Sequence, residues 1–218
     1  MPTITDNTYY QQGIKFIPNT KTIGTPVAGV PTNDTIEELN YFIEQNERVL
    51  LLSFLSVELY EELMISLDDL DNALDKWKNL VNGVTYTYEN EKYIFNGLRG
   101  YNKNSLVANY VFCKYLENDE SYYSTGGVVV TKSQKDQGYD PSRKYIDNYN
   151  AFLNSYQNDL YNDVPTYYYS NGVLVGVDYY NDKKSNNVVT LETFLEQNKS
   201  DYEGYEFTRF ETKNSFGI

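Results

Sequence analysis

The chain has 218 residues, enough for one large domain or one domain with a smaller appendage. It carries 31 acids against 18 bases, a net charge of −13, with no Lys/Arg cluster, which argues against a grip on nucleic-acid phosphates. With no histidine, Ser-His-Asp and Cys-His nucleophiles and Cys/His zinc sites are excluded in cis.

The first residues, MPTITDNTYYQQG, lack the apolar core of a signal peptide. No apolar run approaches the roughly 18 residues of a membrane span, so a chain made in the cytoplasm with no membrane partner is expected. Residues 1–34 show no period and are punctuated by Pro18, Pro26 and Pro31. They read as an extended N-terminal arm that either docks on a neighbour, through residues such as Phe16 and Ile17, or lacks fixed structure in the free protein.

Helix-starting chemistry appears at Asn33-Asp34-Thr35, with Thr35 and Glu38 at capping-box spacing. Ile36, Leu39, Ile43 and Leu50 mark one face of a helix to about Leu55, and a restart is expected near Ser56. Asp68-Asp69 reads as the opening of a helix that ends at Asn82 and carries Leu74, Trp77, Leu80 and Val81. Gly83 stops it. The period then changes to two: Val84, Tyr86 and Tyr88, then Tyr93-Ile94-Phe95, form a β-hairpin over 84–95 that lacks the favoured Asn-Gly turn. Gly97 closes it. Trp77, Leu80, Val81, Gly83, Tyr86 and Gly97 are therefore the expected organisers of the fold.

A central helix is expected from about Asn102 to Leu116, containing the lone Cys113 as a buried small hydrophobe. Residues 117–140 form a long connection with a short strand at Val128–Val130. Asp140-Pro141 opens a helix with an aromatic stripe to about Asp163. Residues 164–218 read as a β-rich C-terminal extension and tail. It contains a second hairpin (167–177), a helix capped by Thr190, and an edge strand over Tyr205, Phe207 and Phe210. Phe207, Phe210, Phe216 and Ile218 are candidate interface residues, as an apolar terminus folds back or plugs into a partner. The predicted class is α+β: a mainly helical bundle over 35–163 with an inserted hairpin, a smaller β-containing C-terminal part and an N-terminal arm.

No catalytic, cofactor-binding or metal-binding residue emerges. Asp68-Asp69 and Glu61-Glu62 are adjacent, and neighbouring helical positions point apart, so they suit solvated helix ends better than a general acid and base. No Gly-rich phosphate loop with its lysine occurs, and Gly97-x-x-Gly100 lacks the third glycine and the preceding buried strand. The 24 tyrosines suit either half-buried strand and helix edges or extended subunit contacts.

Several stretches carry a further signal: FLSVELYEEL (54–63), KWKNLVNGVTY (76–86), NGLRG (96–100), SLVANYVFCKYL (105–116), DPSRKYIDNYNAFLNSY (140–156) and the final NSFGI. Together they resemble head-to-tail adaptor proteins of tailed bacteriophages, in particular the connector or neck-ring proteins of crAss-like and related phages. The resemblance spans about residues 35–160 and the last few, and its best motif is the Trp77–Gly83 helix end with the tyrosine strand after it. Ser56 departs from it, standing where a glycine is expected. The resemblance implies a non-enzymatic virion protein forming a ring of roughly twelve copies in the neck. Its partners are then itself, the portal protein and adjacent neck or tail rings, with genomic DNA passing through the channel unbound, repelled by an acidic lining. The alternatives are a stopper or tail-side ring of the same neck and a carbohydrate-binding module.

Overall fold

The computed structural model describes residues 2–17, 34–119, 121–124, 127–130, 141–157, 166–170, 173–178 and 187–211, the hairpins within 121–130 and 166–178 by their backbone alone. Helices follow the apolar spacing. α1 (Asp34–Leu51) turns Leu39, Ile43, Glu47 and Leu50 inward on one stripe. Ser56 is extended and its hydroxyl accepts from Leu59 N–H at 3.4 Å, capping α2 (Val57–Asp68). The spacing predicts a helix from Asp68-Asp69 to Asn82. Instead α2 runs through Asp68, one 3-10 turn follows at Leu70–Asn72, and α3 (Asp75–Asn82) starts later. The cause is local: Asp69 leaves helical geometry at φ −143°, ψ 69°, and its carboxylate is taken up by Asn72 Nδ2 at 2.9 Å. Leu74 consequently precedes α3 and is exposed, while Trp77, Leu80 and Val81 are buried.

Beyond α3 the chain makes a hairpin whose two ends cross. β1 (Val84–Tyr88) and β2 (Glu91–Phe95) pair antiparallel without a bulge, Val84 opposite Phe95 and Tyr88 opposite Glu91. The turn residues Glu89 and Asn90 both take positive φ, 48° and 68°, the mirror-image turn whose twist matches the strands. The chain enters through Gly83 (φ +89°) and leaves through Gly97 (φ +77°). A Cβ on Gly83 would lie 2.5 Å from Phe95 O, and one on Gly97 2.3 Å from Gly83 N, so backbone meets backbone. Leu98 and Arg99 N–H then donate to Leu80 and Val81 O at 2.9 and 3.0 Å, satisfying the last carbonyls of α3.

The central helix starts later than its apolar pattern predicts. Residues 101–104 make a second tight turn, with Asn102 and Lys103 at positive φ, and Ser105 Oγ accepts from Ala108 N–H to open α4 (Leu106–Asp119). Every residue from Ser105 to Cys113 is buried, and α4 packs against α1 and α5 (Pro141–Tyr156). α5 ends at Tyr156, short of the expected Asp163. β3 (Ser121–Ser124) pairs with β4 (Gly127–Val130), and β5 (Thr166–Ser170) with β6 (Val173–Asp178), both antiparallel.

Residues 187–211 are no separate extension, which corrects the boundary placed at 163/164 for this stretch. β7 (Val188–Val189) joins β2 in parallel to give the order β1-β2-β7. Thr190 caps α6 (Leu191–Gln197), whose Phe194 stacks on Phe95 with centroids 4.2 Å apart. Tyr202 meets Trp77 edge-on at 6.0 Å and donates to Lys76 O at 2.6 Å. Residues 205–211 form no strand; they run as an irregular strap over α5. The N-terminal arm is likewise corrected: residues 2–17 fold back as two 3-10 turns and bury Ile4, Tyr10 and Ile17 in the shared core. The fold is α+β.

Two glycine substitutions separate crowding from backbone conformation. Gly97→Ala should lose about 3 kcal/mol or more in urea unfolding, because a methyl cannot enter the crossing. Gly204→Ala, at φ +86° but with open space around the site, should lose only about 1–2 kcal/mol.

Candidate functional site

Three arrangements of side chains stand out, and each fastens an irregular segment or shapes a surface. The first is built around Glu47. In sequence it interrupts the apolar stripe of α1, falling between Ile43 and Leu50, and it is 2% exposed. Its Oε2 accepts from Ile4 N–H at 2.7 Å, and its Oε1 from Thr5 N–H at 2.8 Å and the Thr5 hydroxyl at 2.5 Å. Arg99 Nε donates to Ile4 O at 3.2 Å. One carboxylate and one guanidinium thus satisfy the backbone at the start of residues 2–17. Burial pushes the Glu47 carboxyl up to about 7, against the Thr5 hydroxyl, the two backbone N–H groups and the Arg99 charge, which pull it down. The Thr5 hydroxyl suits both states, donating to the carboxylate or accepting from the acid. Farther along, buried Lys15 donates to Asn109 Oδ1 at 3.0 Å, and burial lowers its pKa.

The second arrangement is the tyrosine face of α5. Tyr149 and Tyr156 donate to Glu211 O and Thr208 O at 2.8 and 3.0 Å, and Gln157 exchanges two hydrogen bonds with the Phe210 backbone. Arg209 places Nε and Nη2 on Glu192 Oε1 at 3.0 and 2.6 Å. The third is the hairpin itself, with Tyr86 held between Phe194 (5.6 Å) and Gln197 Oε1 (2.5 Å), burial raising its phenol to about 12.

The structure brings Trp77, Leu80, Val81, Gly83, Tyr86 and Gly97 together at the base of the hairpin. It does not bring the candidate interface residues to one surface. Ile17 is buried, and Phe207 and Phe210 lie against Tyr156 at 4.6 and 5.1 Å, each partly buried within the chain. Phe16 is half-exposed; Phe216 and Ile218 lie outside the described residues. Glu47, Thr5, Arg99, Lys15 and Asn109 escape a reading by period, and the one signal for them is the acid seated inside an apolar stripe. Among the described residues no group of His, Cys, Asp or Glu gathers to hold a metal ion, and no helix is long and apolar enough to cross a membrane. Glu47 and Glu192, the two buried carboxylates among the described residues, face separate partners rather than each other.

No protein-family model, curated protein or solved structure matches this chain.

Glu47 makes stability depend on pH in a direction opposite to that of a salt-bridged acid. The folded chain keeps its proton to about pH 7. The unfolded chain releases it near pH ~4.3. The contribution is therefore complete below about pH 4 and lost as pH rises through 7. Glu47→Gln cannot titrate. The unfolding free energy of the wild type relative to this variant, measured in urea, should fall as pH rises from 4 to 8, by an amount on the order of 3 kcal/mol. A difference constant across that range refutes the assignment.

Proposed function

We propose that this chain is a structural subunit of a phage neck, a head-to-tail connector forming a ring between portal and tail and extending the DNA channel. In that reading α1, α4 and α5 make the adaptor bundle, and the hairpin between α3 and α4 is its inserted element. The observation that carries it is where apolar surface is left over. Tyr41 and Val49 on α1, Val57 and Ile65 on α2, and Leu74 before α3 all keep more than half of their surface exposed, Ile65 as much as 73%. Isolated exposed apolar residues are common, but a run of them along consecutive helices marks a contact surface. The buried carboxylates and the tyrosine hydroxyls serve internal fastening, which favours architecture over chemistry. An excess of acid on the remaining surface suits a wall past which DNA moves, since like charge prevents adhesion.

Co-expression with the portal protein and, separately, with the next tail-side ring of the same phage tests the proposal. Co-purification with portal, as rings visible by negative stain, is the expected result. Capture by the tail-side ring alone assigns the chain to a stopper or tail-side ring, and capture by neither overturns the neck reading. Val49→Asp combined with Ile65→Asp should abolish ring formation while leaving the melting temperature within a few degrees, because both side chains are exposed in the subunit.

A further inference from the structure

Among the described residues, the sheet order β1-β2-β7 gives β1 a neighbour on one side only. Tyr88 pairs with Glu91 across a two-residue turn, so residues 84, 86 and 88 point their backbone groups at β2. The N–H and C=O of Thr85 and Thr87 point the other way, and no described strand pairs with them. Both threonines are exposed.

Natural sheets blunt such an edge with proline, lysine, an inward charge, a bulge or a very short strand. Val84-Thr85-Tyr86-Thr87-Tyr88 has none of these. It is five β-branched and aromatic residues in unbroken register, a sequence suited to strand pairing. The strand is also held still. The glycine crossing fixes its base, the Glu89-Asn90 turn fixes its tip, and Phe194 and Gln197 hold Tyr86 in the middle. A strand already ordered loses little entropy when a second strand adds to it.

We infer that this edge is a self-pairing surface: β1 of one copy adds antiparallel to β1 of a second copy, about a two-fold axis at Tyr86. Thr85 then lies opposite Thr87 of the second copy, and Thr87 opposite its Thr85. The outward groups of the two strands close four N–H···O bonds and make a continuous sheet β2-β1-β1-β2. Charge selects this occupant and this direction. The hairpin tip carries Glu89 and Glu91, with Lys92 behind them opposite Thr87. The base carries Arg99, whose Nη1 lies 3.3 Å from Asn82 Oδ1. Antiparallel pairing sets Glu89 of each copy opposite Gly83 of the other, at the end where Asn82 and Arg99 sit, whereas parallel pairing aligns two acidic tips. Threonine opposite threonine is itself a favourable cross-strand pair. The inference stands apart from the neck proposal, because a two-fold contact neither makes nor requires a ring.

Sedimentation velocity and amide exchange on the full chain, from low micromolar to near-millimolar concentration, test it. The expected result is a dimer that grows with concentration, while the Thr85 and Thr87 amides slow in parallel. Thr85→Pro removes an outward N–H without touching the β1–β2 pairing, and should weaken dimerisation by roughly tenfold or more at an unchanged melting temperature. Thr87→Pro should do the same, so a folding defect in one variant leaves the other to decide. A wild type that stays monomeric overturns the inference. So does a dimer in which both threonine amides remain fast. A dimer that forms normally beside a chain captured by neither portal nor tail-side ring would sink the neck proposal alone.

Discussion

Everything on the hairpin side of the molecule depends on two backbones passing in contact. At Gly83 and Gly97 the chain enters and leaves the hairpin through a gap that admits no side chain, and both residues hold φ values that ordinary residues avoid. The closeness is what lets Leu98 and Arg99 cap α3 with main-chain hydrogen bonds. It also sets the direction of β2, which delivers Phe95 to Phe194 and offers Ile94 to β7. A wider crossing would leave the last carbonyls of α3 buried without donors and move the platform on which α6 sits.

Irregular chain has the opposite problem, since it carries backbone groups with no ladder to satisfy them. Here side chains do that work. Glu47 and Arg99 serve Ile4 and Thr5; Tyr149, Tyr156 and Gln157 serve residues 208–211. Tyrosine is suited to this because its ring fills the core while its hydroxyl reaches a carbonyl at the margin. Tyr149 and Tyr156 are used in this way within the chain, fastening a segment that is neither helix nor strand. Desolvation raises the phenols involved, as it must for groups that donate from buried positions.

What the sequence made legible was local. The stop at Gly83, the alternation of Val84, Tyr86 and Tyr88, the restart at Ser56 and the cap at Thr190 each follow from the conformational preference of a few neighbouring residues. What it hid was relational. Asp69 interrupts a helix because Asn72 captures its carboxylate, a competition invisible in apolar spacing. α4 begins four residues later than its periodicity suggests because Asn102 and Lys103 adopt a left-handed turn that Ser105 then ends. Phe207 and Phe210 look like exposed edge residues in a polar stretch, yet Tyr156 supplies the surface they cover, about fifty positions earlier in the chain. Glu47 in an apolar stripe was the visible anomaly, but its partners at Ile4 and Thr5 belong to a segment with no period at all.

Net charge constrains how copies of such a chain meet. At −13 each, two subunits repel beyond contact range, and salt screens that repulsion within about 10 Å. Association must then come from short-range terms at places where charge is sparse. In the proposed contacts the exposed residues of α1 and α2 would supply dispersion and burial, and the β1 edge main-chain hydrogen bonds that carry no net charge. Acidic residues flank both: Glu89 and Glu91 at the hairpin tip, Glu61 and Glu62 on α2. Such flanking charge penalises every register that aligns acids. A contact built from a neutral centre and a repulsive rim is selective through what it forbids.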